Sequence, residues 1–165
     1  MTDNSKQTSI KLPMWDELPN FNLHLDQLLD LTNQYLSPII GSKITKTMMH
    51  NYFKADIIIP PIRKKYWRTQ LAGAIVVGLL KNIFTLAEIQ AGLKAILKDS
   101  SPKIGYNNFV MMFNEQAAQS GTVPAALNSL DLTSANKPTI MQYDAVQSIL
   151  FWLAAKKRLQ EALKD

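Results

Sequence analysis

The chain lacks cysteine, has only two histidines and carries little charge: 19% of its 165 residues are charged, against 47% that are hydrophobic. The absence of cysteine excludes disulfides, thiolate nucleophiles and cysteine-ligated zinc. The low charge and high apolar content exclude a disordered or collagen-like chain. The length fits one domain, or one small domain with a smaller companion, and excludes an enzyme of two large domains. We therefore expect a compact fold that is held together by packing.

Apolar segments are too short for the chain to cross a membrane. The longest uncharged apolar run, at residues 71–80, contains ten residues, whereas a bilayer requires roughly 20. The first thirteen residues are polar and lack the apolar stretch of a secretory signal. These features predict a cytoplasmic protein.

No catalytic arrangement of residues is visible. His24 and His50 lie on different predicted helices, and neither a His-Glu-x-x-His nor a Gly-x-Ser-x-Gly pattern occurs. The segment Gly41-Ser42-Lys43 resembles the end of a phosphate-binding loop, but it lacks the first glycine and the preceding strand of such a loop. We expect a protein without catalytic activity, cofactor or metal.

Positive charge is concentrated in one segment. Residues 43–68 contain seven basic residues and one acidic residue, a net charge of +6, whereas the other 139 residues sum to −1. A localised basic patch on a near-neutral body is typical of proteins that bind polyanions, most often nucleic acid. The alternative is an ordinary solvated surface.

Apolar periodicity and chain-breaking residues predict a mainly α protein. The predicted helices cover residues 22–36, ending before Pro38, and residues 44–55, 69–81, 85–98, 107–120 and 139–164. Two prolines interrupt the β-branched residues 57–62, so we expect a small hairpin or wing at 57–67. Residues 121–138 form a connection that contains proline and serine. The predicted organisation is an N-terminal arm (1–19), a winged helix-turn-helix DNA-binding domain (20–98) and a helical C-terminal region for dimerisation or sensing (99–165).

The second predicted helix has one polar face and one apolar face. At 100° per residue, its polar side chains fall on one arc and its apolar side chains on the other. An asparagine flanked by lysines suits a major groove, because asparagine can pair with adenine while lysine neutralises phosphates. The alternative is an amphipathic helix with a solvated face. A helix, a Gly-Ser turn, a basic helix and a basic aromatic hairpin together favour a winged helix-turn-helix on double-stranded DNA.

The candidate DNA-binding residues belong to this helix, its preceding turn and the wing. In the wing, we expect the cations to contact phosphates and the aromatic side chains to pack on the body. The arginine at the start of the next helix places a positive charge at the positive end of the helix dipole, which is unfavourable. This position favours a phosphate partner for the arginine. The complete set is Lys43, Thr45, Lys46, Thr47, His50, Asn51, Lys54, Arg63, Lys64, Lys65, Tyr66 and Arg68.

A series of short motifs extends from the second helix to the fourth. It consists of Tyr52, Ile57-Ile58-Ile59-Pro60, Lys64 with Tyr66, and Phe84-Thr85-Leu86-Ala87-Glu88-Ile89. These residues resemble the DNA-binding domain of MerR-type regulators, with its recognition helix, Leu-Leu-x-Pro strand, wing and Phe-Ser/Thr-Leu-x-Glu-Ile motif. The sequence departs from that pattern in three places. His50 stands where an arginine is common, and Asp56 and Ile62 stand where glycines are common.

Residues 12–29 and 44–67, with the apolar helix that follows, also resemble an uncharacterised bacterial family, domain of unknown function 1836. The resemblance covers roughly residues 10–120. It implies a MerR-like, regulatory protein and specifies neither an operator nor a small-molecule effector.

The last predicted helix is apolar around its whole circumference at residues 145–155. A small domain covers only part of such a helix, so we expect a homodimer through the C-terminal helix. The alternative is that the helix at 107–120 covers it within one chain. A second alternative concerns function, in which the domain is a protein interaction module whose basic patch contacts an acidic partner without reading DNA.

Overall fold

The computed structural model describes residues 11–117 and 129–164. Over these ranges the chain forms one 3₁₀ turn, at Trp15–Glu17, and six helices, which confirms the predicted mainly α protein. The helices are α1 (Leu25–Ile40), α2 (Lys46–Lys54), α3 (Arg68–Leu80), α4 (Leu86–Leu97), α5 (Pro102–Ala117) and α6 (Lys137–Ala162). None of these helices is both long enough and apolar enough to cross a bilayer.

Helix α3 forms the centre of the core, because almost every side chain on it is apolar. Ten of its thirteen residues are buried. Helices α1, α5 and α6 all contact α3, while α4 packs on α5 and α6. Gly78 permits the close approach of α1, since a Cβ there would lie 2.2 Å from Cδ1 of Leu36. One continuous core therefore joins the first four helices to the last two, and the domain boundary at residue 98 stays a prediction.

The first helix is longer than the sequence predicted. Helix α1 continues through Pro38 to Ile40, so the expectation that it ends before the proline is wrong. The ring of Pro38 lies on the exposed side of α1, and one further turn buries Ile40 in the core. The helix ends at Gly41, whose φ of 72° is favourable for glycine.

The predicted hairpin at 57–67 is reduced to an extended segment and a tight turn. Within the described ranges no strand forms, and the segment makes only two isolated bridges, Leu23 with Tyr66 and Ile62 with Lys65. Two adjacent prolines remove the backbone donors that a longer ladder requires. The turn places its central residues, Arg63 and Lys64, at φ values of 52° and 60°.

Local signals located most of the remaining helix ends. Thr85 and Glu88 form the predicted capping box at the start of α4, with reciprocal bonds of 3.2 and 2.8 Å. Helix α5 begins five residues earlier than predicted, at Pro102, because the Ser101 hydroxyl accepts the N–H of Ile104. The predicted stop at Gly121 lies outside the described residues.

The described part of the N-terminal arm, from residue 11 onward, packs against α5. Leu12 and Leu18 are buried. The side chain of Asn114 accepts the N–H of Leu12 at 2.7 Å and donates to its carbonyl at 2.8 Å. Trp15 makes an edge contact with Tyr106, with ring centroids 6.0 Å apart. Residues 12–18 are thus part of the folded body.

Candidate nucleic-acid interface

The turn between α1 and α2 is fixed by one amide side chain. Asn33 accepts the N–H of Ile44 at 2.7 Å and donates to the carbonyl of Ile44 at 2.9 Å. Ile44 is buried against Gly78 of α3. The orientation of α2 relative to α1 therefore depends on a polar bridge and an apolar anchor. Sequence reasoning missed Asn33, because its partner lies eleven residues away in a turn.

Helix α2 separates its side chains as the sequence predicted. Lys46, Thr47, His50, Asn51 and Lys54 are all exposed. The opposite face buries its side chains in the core, namely Met49, Tyr52 and Phe53. The helix therefore presents a continuous cationic and amide-bearing surface to solvent.

The start of α2 is capped by one of the candidate residues. The Thr45 hydroxyl accepts the N–H of Met48 at 3.2 Å, so this side chain stabilises the helix. Lys43, in the preceding turn, is exposed. Thr45 and Lys43 thus lie where the chain enters the polar face of α2.

A second group of cations lies in the tight turn at 62–65. Tyr66 anchors this turn, because its backbone exchanges two hydrogen bonds with Leu23, at 2.8 and 3.0 Å, and its ring lies 5.4 Å from that of Phe53 of α2. The exposed side chains of Arg63, Lys64 and Lys65 immediately precede this anchor. The turn is therefore attached to the buried side of α2 by an aromatic pair.

Two of the predicted site residues are not part of the exposed surface. Tyr66 is only 5% exposed, and burial raises the pKa of its hydroxyl. The Arg68 guanidinium donates to the Leu18 carbonyl at 2.8 and 3.2 Å and lies 3.7 Å from the Asp16 carboxylate. The arm thus supplies partners for Arg68 within the chain, and a phosphate contact of Arg68 stays a prediction.

The other six lysines and arginines of the set are exposed. Within the described ranges, none of them forms an ion pair; the two ion pairs there both involve Asp16, with Arg68 and Lys103. Nor do those ranges hold a group of three or more metal-binding side chains. Uncompensated exposed cations attract a polyanion more strongly than paired cations do. The six are Lys43, Lys46, Lys54, Arg63, Lys64 and Lys65.

The structure adds two lysines that the sequence argument missed. The Lys156 ammonium of α6 donates to the Ile40 carbonyl at 3.2 Å and lies 4.6 Å from the centre of the Trp152 ring. Lys81, after α3, lies 3.8 Å from the Met48 sulfur of α2, and burial lowers its pKa. Only the fold brings these residues to the end of α1 and to the first turn of α2. No local sequence signal indicates either position.

Asp56 occupies a position that favours glycine. Its φ is 54°, in the left-handed region, directly after α2. The N–H groups of Ile57 and Ile58 then both donate to the carbonyl of Tyr52, at 3.1 and 3.3 Å. An aspartate tolerates this conformation better than a branched residue does. The chain therefore turns sharply after α2 despite the departure from glycine.

These features define a helical domain that exposes one cationic helix face beside a cationic turn. Residues 13–113, more than half of the chain, match the model of a family described as Domain of unknown function (DUF1836), and the chain belongs to that family. Neither a curated protein nor a solved structure matches the chain.

Proposed function

We propose that this protein is a sequence-specific, double-stranded-DNA-binding transcriptional regulator with a MerR-like winged helix-turn-helix. One observation carries the proposal: α2 exposes every polar side chain on one face and buries its opposite face in the core. Such a helix can enter the major groove as a rigid body, because its position does not depend on the DNA.

Each part of the surface has a separate role in this proposal. The side chains of α2 face base edges, and Asn51 pairs with an adenine, since an amide matches the adenine N6 and N7 positions. The turn at 62–65 takes the place of a wing, with its three cations on phosphates. Lys156 lies close enough to the α1–α2 turn to add a further phosphate contact. Tyr66 and Arg68 hold the arrangement together from inside.

Salt dependence tests the electrostatic part of the proposal. Genomic fragments retained by the full chain are sequenced, and the enriched site is titrated by fluorescence anisotropy. With about six phosphate contacts, affinity should fall by roughly three decades between about 50 and 200 mM salt. A flat salt dependence contradicts the proposal.

Three variants test the roles of individual residues. Asn51→Ala should reduce affinity for the preferred site by about 1–3 kcal/mol and relax base preference, whereas Lys64→Ala should weaken all sequences equally. Lys137→Ala is the matched control, because it removes the same charge as Lys64→Ala. Lys137 lies on α6, roughly 28 Å along the helix from Lys156, which is the α6 lysine beside the α1–α2 turn. If Asn51→Ala and Lys64→Ala both behave like this control with the fold intact, the assignment of α2 is wrong.

A protein partner with an acidic surface is the second candidate. Ile59 and Ile62, beside the cationic turn, are 56% and 69% exposed. Apolar side chains among cations are typical of protein interfaces rather than of phosphate contacts. Such a complex should keep its apolar component at high salt, and heparin should compete with it less than with DNA binding.

We also propose that two copies associate through α6. Helices α3, α4 and α5 cover part of α6 within the chain, and Val146 and Ile149 are buried, but Phe151 and Leu159 remain 50% and 59% exposed. A dimer would place two α2 helices on successive major grooves, and the operator would then be an inverted repeat spaced by about 34 Å. Analytical ultracentrifugation of the full chain and of a chain ending at Lys137 tests this. A monomeric full chain at micromolar concentration contradicts it, and so does a dimer that survives the truncation.

A further inference from the structure

A cavity of about 350 Å³ lies between α3, α4, α5 and α6. Trp15, Phe84 and the extended segment at 57–59, which follows α2, complete its wall. Most of the lining side chains are aliphatic or aromatic, including Val76, Ile89, Leu93 and Phe109. Cavities of several hundred Å³ with apolar walls are the usual sites of small-molecule ligands.

The cavity exists because small residues occupy positions that face it. Gly73 and Gly92 both line it, together with Ala72 and Ala145. A Cβ at Gly92 would meet only the flexible Cε of Met141, at 3.6 Å, so a larger side chain has space there. An apolar ligand that enters this space removes apolar wall surface from water, which favours binding.

Two buried polar side chains of the wall already have partners within the chain. The Tyr106 hydroxyl donates to the Pro13 carbonyl at 2.7 Å, and the Gln142 amide donates to the Gly105 carbonyl at 2.8 Å. A ligand therefore gains little from polar atoms in its buried part. An engineered apolar cavity of about 150 Å³ binds benzene, so a body of about two fused rings fits the larger space.

The charge of the lining determines which kind of ligand is favourable. The cavity lining contains two charged residues, Glu88 and Asp144, and both are acidic; no described lining residue is basic. Four aromatic rings, those of Trp15, Phe84, Tyr106 and Phe109, also line it. Carboxylates attract a cation and repel an anion, and aromatic rings add a cation–π attraction where a cation lies over a ring face.

We propose that this cavity binds a lipophilic amine, with a two-ring apolar body inside and a protonated amino group toward Glu88 and Asp144. The site is separate from the polar face of α2, and its existence does not depend on DNA binding.

Three probes with the same ring system test the chemistry of the site. Binding of 1-naphthylmethylamine, 1-naphthalenemethanol and 1-naphthoic acid to the full chain is measured by calorimetry near neutral pH. The amine should bind tightest and the acid weakest, and their dissociation constants should differ at least about tenfold. The reason is that the two carboxylates attract the protonated amine and repel the carboxylate of the acid. Equal affinities, or no binding of the amine, overturn the proposal.

Two sets of variants test the location. Gly92→Leu should reduce amine affinity at least tenfold by filling the cavity, whereas Ala91→Leu, on the exposed side of α4, should leave it unchanged. Wild-type affinity in a folded Gly92→Leu variant overturns the location. The double variant Glu88→Gln, Asp144→Asn should remove the preference for the amine over the alcohol, and glutamine at 88 retains the helix cap. A preference that persists in this variant overturns the charge assignment, even if Gly92→Leu does not fold.

Discussion

Replacing Asn33 with alanine should destabilise the protein through the turn between α1 and α2. Asn33 satisfies both backbone groups of Ile44, and Ile44 is only 2% exposed. The variant leaves an N–H and a carbonyl without their partner in a region that water reaches poorly. The perturbation is local, because the alanine itself is favourable within a helix.

The magnitude follows from two opposing effects. Each buried backbone group that loses its partner costs about 1–3 kcal/mol, and the half-buried position of Asn33 favours the lower part of that range. Two groups therefore cost about 2.5 kcal/mol, from which the better helix propensity of alanine removes about 0.6 kcal/mol. We expect a net loss of about 2 kcal/mol.

Urea unfolding at 25 °C, followed by circular dichroism, measures this loss. Gln34→Ala is the matched control, because Gln34 is the exposed neighbour on the same helix and should change stability by less than about 0.5 kcal/mol. If Asn33→Ala and Gln34→Ala unfold at the same urea concentration with the same slope, the side chain of Asn33 does not hold the turn.

Two further predictions concern the core. Burial raises the pKa of Tyr52 to about 12 in the folded protein, whereas in the unfolded chain the pKa is about 10. As the pH rises above about 10, the unfolded chain loses this phenolic proton first, so the free energy of unfolding should fall. The hydroxyl has no hydrogen-bond partner among the described residues, so Tyr52→Phe should keep or raise stability at neutral pH and lessen this alkaline loss in urea titrations. Gly78→Ala should cost about 1–3 kcal/mol because its Cβ meets Leu36 at 2.2 Å, whereas Gly92→Ala should gain up to about 1 kcal/mol; thermal melts compare the two.

The sequence predicted those features that depend on neighbouring residues. The capping box at Thr85 locates α4 to the residue, because both partners lie within four positions. The uniformly apolar α3 is identifiable because no face of it carries a row of polar residues. The polar arc of α2 could also be predicted, since a helical period fixes which side chains share a face.

The features that the sequence could not predict depend on contacts between distant segments. Pro38 is a local signal for a helix end, but burial of Ile40 outweighs it. The partners of Arg68, Leu18 and Asp16, lie some fifty residues earlier in the chain. Lys156 reaches Ile40 across 116 residues. No periodicity within a single helix contains this information.

The hydrogen bonds between the N-terminal arm and α5 join the two ends of the family segment. Leu12, just before the matched residues, exchanges both of its backbone hydrogen bonds with Asn114, just after them. A unit whose ends meet can be inserted into, or fused to, other chains without stretching its core. Helix α6 lies outside this closed segment, yet it packs on α3, α4 and α5 and completes the core of the segment from the outside.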